Sequence, residues 1–193
     1  MKNVTETLHT LVELLDQLSI EYAVMGGFAV RAHGVPRPTY DIDTAIVVDR
    51  AWLPELFDRL RDYDFEIPEV YETGWVDRVK ELPLLKLKRY IRDESLDVDL
   101  FLVESEFLAE VMGRRSRLDA DGRVMWVVSP EDLVLFKLLA GRARDWGDVA
   151  DVLFIQGSLD EAYMRRWARE LGISEQLEKA LAEQVRDQND LGG

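Results

Sequence analysis

Val24-Met-Gly-Gly-Phe-Ala-Val-Arg-Ala-His-Gly-Val-Pro-Arg-Pro-Thr-Tyr-Asp-Ile-Asp43, with the apolar run Ala45-Ile-Val-Val48 after it, decides how this chain folds. It reads as an apolar strand over Tyr22–Met25, a Gly-Gly turn, a short helix from Phe28 to Gly34, a loop, and a second strand carrying Asp41 and Asp43. Alternate residues of a strand face the same way, so the two carboxylates emerge on one side, roughly 7 Å apart along the backbone. Like charges held together in a fold are costly unless something positive sits between them, and a divalent cation is the usual answer. Gly26 and Gly27 allow a tight turn whose backbone N–H groups can approach an anion, and the next helix adds its N-terminal dipole. One stretch thus offers a place for phosphates and a place for their metal. Gly34 suits the helix end, with Pro36 beyond it as a stop.

A Gly-Gly pair at a strand end, thirteen residues, then Asp-x-Asp inside an apolar strand resembles the signature of the DNA polymerase β-type nucleotidyltransferase superfamily. The fuller text Gly26-Gly27-x-Ala29, His33-Gly34-x-x-Arg37-x-Thr39-x-Asp41-Ile42-Asp43 is similar to its AbiEii-like branch, which includes toxins of toxin–antitoxin pairs. The resemblance implies an α/β (α+β) fold: a small mixed β-sheet of nucleotidyltransferase type, flanked by helices, with a helical C-terminal lobe. It implies metal-dependent transfer of a nucleoside monophosphate from an NTP to an acceptor hydroxyl, on an RNA end, a protein or a small molecule. Asp41 and Asp43 would hold two Mg²⁺ ions, and Gly26, Gly27, Arg37 and Thr39 would face the nucleotide. A cognate antitoxin would be the partner if the chain is a toxin.

The superfamily also needs a third carboxylate on a neighbouring strand, as metal ligand and as base for the attacking hydroxyl. Pro83–Ile91 and Leu96–Val103 read as antiparallel strands joined by the polar turn Arg92-Asp-Glu-Ser95, and the second places Asp97 and Asp99 on one face. Asp99 stands directly before the apolar run Leu100-Phe-Leu-Val103, the placement that the resemblance favours. The competing reading makes both of them solvent-facing charges of an edge strand, although acids are disfavoured inside strands.

Farther along, Ser129-Pro-Glu-Asp-Leu133 opens a helix, with Ser129 as N-cap, Pro130 at the first position and Asp132 closing a capping box. The text from there through Lys137, Gly141-Arg142, Arg144-Asp145 and Asp148 also resembles the AbiEii-like branch. By that resemblance Lys137 meets the triphosphate, with Arg142 or Arg144 nearby. The bland alternative is a salt-bridge cluster of Arg144, Asp145 and Asp148 tying two helices together, and it is preferred for the aspartates. His33, at a helix end, reads as structural ahead of catalytic. Arg37 either binds phosphate or balances the paired aspartates.

The remaining elements frame this core. Residues 4–20 show helical spacing with Thr5 as N-cap, and Trp52–Tyr63 forms an amphipathic helix. Residues 64–80 form a loop with one short strand or helix, a region that shapes the acceptor pocket in related folds. Glu104–Leu118 reads as a helix ending in Arg114, Arg115 and Arg117, cations that suit its dipole or, as a minority reading, phosphate or RNA. Glu161–Leu171 and Ser174 to about Val185 are amphipathic helices, and the polar tail after them reads as frayed. The division expected is a catalytic core over 1–128 and a helical lobe over 129–193, packed as one unit.

Composition narrows the partners. With 193 residues and 47% hydrophobic content the chain can bury one substantial core. Asp and Glu number 38 against 24 Lys and Arg, a net charge of −14, which disfavours extended duplex DNA as a partner. No apolar run is long enough to span a membrane, and no cysteine is present, so a cytoplasmic location without thiolate metal sites is expected. Two alternatives stay open beside the leading one. One is an antibiotic-type small-molecule nucleotidyltransferase, whose polycationic acceptor an acidic pocket would suit. The other is an inactive nucleotide-binding or interaction module.

Overall fold

The computed structural model describes residues 2–92 and 94–191. Eight strands form one mixed sheet: β1 (Tyr22–Val24), β2 (Asp41–Ile46), β3 (Phe65–Glu66), β4 (Asp77–Val79), β5 (Leu82–Ile91), β6 (Glu94–Leu102), β7 (Ser116–Ala120) and β8 (Arg123–Val127). Their order is β3-β5-β6-β2-β1-β8-β7, with β4 also on β5. β2 runs parallel to β6 and β1 to β8; the other neighbours are antiparallel. Around the sheet lie α1 (Lys2–Gln17), α2 (Gly26–Ala32), α3 (Leu53–Arg61) and α4 (Glu106–Arg114), followed by α5 (Pro130–Ala140), α6 (Ala143–Gln156), α7 (Glu161–Glu170) and α8 (Ser174–Leu191). This is the mixed α/β architecture that the sequence implied.

The core lies where the alternation of the central strands puts it. Ile42, Thr44 and Ile46 of β2 are buried beside Val98, Leu100 and Leu102 of β6, while the intervening Asp41, Asp43, Asp97 and Asp99 lie on the opposite face. Strand β6 is therefore interior to the sheet, which excludes the edge-strand reading of its aspartates. On α1, Leu8, Leu11 and Leu15 recur at helical spacing and are fully buried. Helix α5 buries Leu133, Val134, Leu135, Leu138 and Leu139, and it packs on α2, α6, α7 and α8. A helix apolar on most of its faces needs neighbours all round, so α5 centres the C-terminal helices and joins them to the Gly-Gly segment.

Several boundaries differ from the sequence reading. Helix α1 starts earlier than expected, leaving Thr5 inside it, where its hydroxyl donates to Asp121 instead of capping. Helix α2 begins at Gly26, so both glycines form its first turn and do not precede it. The expected helix over Glu104–Leu118 stops at Arg114, and Ser116–Ala120 becomes β7, paired with β8. Tertiary pairing overrode local propensity there. The β5–β6 connection is tighter than the four-residue turn expected, since Ile91 pairs with Glu94. Residues 64–80 supply β3, a 3-10 turn over Glu69–Thr73, and β4. Helix α8 runs on to Leu191; the tail's side chains and residues 192–193 lie outside the described residues.

Candidate active site

Register builds the site. On the parallel pair β2–β6, Asp41 lies opposite Asp97 and Asp43 opposite Asp99; on β5–β6, Lys86 lies opposite Asp99 and Lys88 opposite Asp97. Two charged rows thus cross the sheet, Lys86–Asp99–Asp43 and Lys88–Asp97–Asp41, all on the face opposite Ile42, Val98 and Leu87. Asp97 and Asp99 part company in their surroundings. The side chain of Asp97 is 72% exposed and that of Asp99 26%. Asp43 is the most perturbed group of the set: burial, then the charges of Asp41 and Asp99, push its pKa up to about 7. Burial also raises Asp99, with Asp41 and Asp97 adding to the rise and Lys86 opposing it.

The two glycines make room for these side chains. A Cβ on Gly26 would stand 1.9 Å from Asp43 Oδ2, and the residue's φ of +58° lies in the left-handed region. A Cβ on Gly27 would stand 2.3 Å from Thr39 Oγ1 and 3.2 Å from Arg37 Nη2. Thr39 in turn donates from Oγ1 towards the Asp41 carbonyl and Oδ1, each at 3.3 Å. Gly26, Gly27, Thr39, Asp41 and Asp43 therefore form one packed unit. The sequence read the glycines as a phosphate turn; their immediate contacts are with the carboxylate strand and the loop leading into it.

Cations surround the carboxylates in two groups. Lys137 is buried, with Nζ 2.7 Å from Asp148 Oδ2 and 3.2 Å from Asp145 Oδ1. Arg37 also pairs with Asp148, and Arg142 grips Asp145 with Nε at 2.8 Å and its backbone N–H at 3.1 Å. Asp145 sits below the usual carboxylate range: burial opposes this, but the Arg142 hydrogen bond and the nearby Lys137 charge outweigh it. The second group touches the ladder itself. Lys86 Nζ is 3.4 Å from Asp99 Oδ2, and Arg144 Nη2 is 3.4 Å from Asp41 Oδ2.

Two clefts flank the ladder. One, of about 480 Å³, is walled by Met25, Leu82, Phe101, Leu133 and Phe136, with Gly26, Asp43, Lys137 and Arg142 at its polar end. The other, of about 830 Å³, is lined by Asp41, Asp97, Asp99, Lys86, Lys88 and Glu66. Segment 64–80 contributes Glu66 and Pro68 to the second cleft and Val79 to the first. It is pinned by Tyr71, whose hydroxyl donates to Asp77 and accepts from Lys86 N–H at 2.9 Å; burial and the Asp77 bond push that phenol up to about 12.

Asp41, Asp43 and Asp99 offer only hard oxygen donors, and burial first, then the charges of Asp41 and Asp99, raise Asp43 against the opposing Lys137 and Arg142. That chemistry fits a divalent cation such as Mg²⁺. As the side chains stand, no group of three His, Cys, Asp or Glu among the described residues is drawn close enough to ring an ion. Asp41 and Asp99 are turned to Arg144 and Lys86 instead.

The structure brings Asp41, Asp43, Asp99, Gly26, Gly27, Thr39 and Arg37 to one locality, with Lys137 on the same cleft as Gly26 and Asp43. The arginine run 114–117 lies away from the ladder: Arg114 meets Glu131, Arg115 meets Glu21, and Arg115 and Arg117 both lie over the Trp126 ring. His33 Nε2 meets the Val128 carbonyl at 2.8 Å, a structural bond. Lys86 was absent from the sequence reading. The tight connection that pairs Ile91 with Glu94 was its signal, because that alone sets Lys86 opposite Asp99.

Solved structures share this architecture. An antigenic nucleotidyltransferase-like protein from Paracoccidioides brasiliensis is 24% identical with a TM-score of 0.56, covering 95% of this chain and 87% of that one. ANT(2")-Ia, solved with adenylyl-2"-tobramycin, is 18% identical with a TM-score of 0.61, covering 88% of this chain and 98% of that one. The lincosamide antibiotic adenylyltransferase LnuA, lincomycin-bound, is 17% identical with a TM-score of 0.54, covering 78% and 96%. At these identities the likeness is one of fold. Among curated proteins none matches the chain. Residues 1–174 match the family model described as "Nucleotidyltransferase of unknown function (DUF6036)", and the chain belongs to that nucleotidyltransferase family.

Proposed function

We propose that the protein transfers a nucleoside monophosphate from an NTP to an acceptor hydroxyl, releasing pyrophosphate, with Asp41, Asp43 and Asp99 as the catalytic carboxylates. The observation that carries this reading is the register of Asp43 beside Asp99, with Asp41 one alternate position away, between two separate clefts. Two clefts meeting at carboxylates suit a reaction that joins two substrates. The apolar cleft, with Lys137 and Arg142 at its charged end, takes the NTP; the polar cleft takes the acceptor. Asp41, Asp43 and Asp99 would hold Mg²⁺, which when bound supplies charge neutralisation for nucleophile and leaving group.

The chain's own groups do the rest. Asp99, raised by burial and facing the acceptor cleft, receives the proton of the attacking hydroxyl. Gly26 keeps backbone donors clear at the mouth of the nucleotide cleft while seating Asp43. Lys137 offsets negative charge on the departing pyrophosphate from a fixed position, held there by Asp145 and Asp148. Thr39 and Arg37 act as positioning residues, one on Asp41 and Gly27, the other on Asp148. The core 1–128 and the lobe 129–193 work as one unit, since Arg144 and Lys137 of the lobe face carboxylates and glycines of the core.

Placement in the AbiEii-like branch, a toxin role and a cognate antitoxin rest on the Gly26–Asp43 and Ser129–Asp148 texts. A second reading, transfer to a small-molecule acceptor, draws on the fold shared with ANT(2")-Ia and LnuA. Incubation with Mg²⁺ and each of the four α-labelled NTPs, with RNA, protein and aminoglycoside or lincosamide acceptors, tests the proposal. Label transfer with pyrophosphate release, lost in Asp99→Asn, is the expected result. Transfer that persists undiminished in Asp99→Asn would contradict the assignment.

A further inference from the structure

The cations near the ladder differ in what holds them. Lys137, Arg37 and Arg142 all bond to Asp145 or Asp148, which lie off the ladder and are themselves buried. Arg144 and Lys86 have no such partner among the described residues; each reaches only a ladder carboxylate, at 3.4 Å. Their side chains are also about half exposed, 48% for Arg144 and 53% for Lys86, so each can swing away without leaving a buried charge unpaired. The two approach from opposite sides. Arg144 belongs to the first turn of α6, two residues beyond Arg142 of the nucleotide cleft, whereas Lys86 lines the acceptor cleft. The backbone of Lys86 is anchored by the Tyr71 hydroxyl, which gives its side chain a fixed origin.

We infer that Arg144 and Lys86 are exchangeable counterions: they balance Asp41 and Asp99 in the free enzyme and are handed to the substrates when a divalent ion takes those carboxylates. This rests on the reading that the ladder holds a divalent ion. A cation paired with a carboxylate opposes a metal at the same oxygen, because the charge the metal would neutralise is already partly neutralised. The free enzyme therefore binds a metal ion more weakly than its three carboxylates alone would. Arg144 has a second destination, the phosphates of an NTP beside Arg142, and a guanidinium suits phosphate oxygens. Binding of the triphosphate then draws Arg144 off Asp41 and opens that carboxylate. Lys86, on the other side, is released toward the acceptor as Asp99 is engaged.

The two residues thus differ in their expected signatures, which a general structural role would not reproduce. The probes are Mn²⁺ alone and, separately, a non-hydrolysable α,β-methylene NTP in the presence of a chelator. Each is titrated by calorimetry into the full-length wild type, Arg144→Gln, Lys86→Gln and Asp43→Asn. Mn²⁺ is expected to bind Arg144→Gln and Lys86→Gln about two- to fivefold more tightly than wild type, the span of an exposed ion pair, and Asp43→Asn more weakly. The metal-free nucleotide analogue is expected to bind Arg144→Gln several-fold more weakly and Lys86→Gln as wild type. Both side chains are exposed, and circular dichroism with a melting curve checks that the variants fold. Unchanged Mn²⁺ affinity in both variants, with Asp43→Asn impaired, overturns the inference while leaving the metal reading intact. No Mn²⁺ binding to wild type or any variant at millimolar concentration overturns both.

Discussion

Two clusters of charge sit within a few residues of each other and are built on opposite plans. Around Asp145 and Asp148, three cations are held by short, multiple bonds, and Lys137 and both carboxylates are buried. Along the ladder, three carboxylates share two half-exposed cations at 3.4 Å, and burial, with the charges of Asp41 and Asp99 adding to it, pushes Asp43 up to about 7. The first arrangement is satisfied and costly to break; the second is under-satisfied and waits for charge from outside. That contrast separates cations locked in place from carboxylates left open to a metal better than residue type does, since both clusters consist of aspartates with arginine and lysine.

Removing a member of each cluster puts the contrast under the greatest load. Lys137→Met leaves Asp145 and Asp148 without their central cation and is expected to destabilise the fold by about 3–5 kcal/mol, read by chemical denaturation. Asp99→Asn should leave the melting temperature near wild type while lowering the rate of nucleotidyl transfer on the order of 10³-fold, the scale of a lost general base. If Asp99→Asn unfolds the protein and Lys137→Met does not, the assignment of roles is reversed.

Gly26→Ala comes next. Its Cβ would stand 1.9 Å from Asp43 Oδ2 at a φ of +58°, so the carboxylate must move and the backbone is strained. A loss of about 1–3 kcal/mol is expected, together with impaired metal binding, measured by melting and by Mn²⁺ titration. Gly27→Ala should be as damaging through Thr39, whereas Gly113→Ala, where an added Cβ would meet nothing within 4 Å, provides the control.

pH pulls the two clusters in opposite directions. Asp43 is raised from 3.8 to about 7, so the folded protein holds that proton more tightly than the unfolded chain. Stability is therefore lost as pH rises through the window between those values, measured without divalent ions. Asp145 is lowered from 3.8, so its contribution is present above that value and lost as pH falls below it. Asp43→Asn should raise the melting temperature at pH 8 but not at pH 3.5; Asp145→Asn should lower it at pH 8 and flatten the acid limb. Melting curves across pH decide this, and identical profiles for the two variants would remove the distinction. The smallest effect is expected at the ladder's exposed margin. Lys88 meets Asp97 at 3.7 Å with both side chains more than half exposed, and Lys88→Ala should cost no more than about 0.5 kcal/mol.

How much of this was legible in the sequence follows from how local each feature is. The period-2 alternation of Asp41-Ile-Asp43 and Leu96-Asp-Val-Asp99 fixed which residues share a face, and the strands formed where those patterns stand. The Ser129-Pro130 start of α5 was equally local, with the Ser129 hydroxyl accepting from Asp132 N–H as its type requires. What failed was non-local. Ser116–Ala120 reads as helix until β8 pairs with it, and nothing in the Gly-Gly text says that Asp43 fills the space a side chain at Gly26 would take. Lys86 lay hidden because its meaning depends on a register set by a turn several residues away. The pairing of Arg144 with Asp41 joins α6 to β2 across most of the chain, and no spacing rule reaches that far.

If the roles are assigned correctly, the ladder carboxylates receive the divalent ion of an incoming metal–nucleotide pair, while Lys137 and Arg142 meet its phosphates from fixed positions. The decisive experiment is calorimetric titration of ATP, GTP, CTP and UTP with Mg²⁺ into wild type and an Asp41→Asn, Asp43→Asn double variant. Metal-dependent binding of at least one NTP is expected in wild type and is expected to be absent from the folded double variant. Binding that survives in the double variant, or no binding of any NTP to wild type at millimolar concentration, would contradict that assignment.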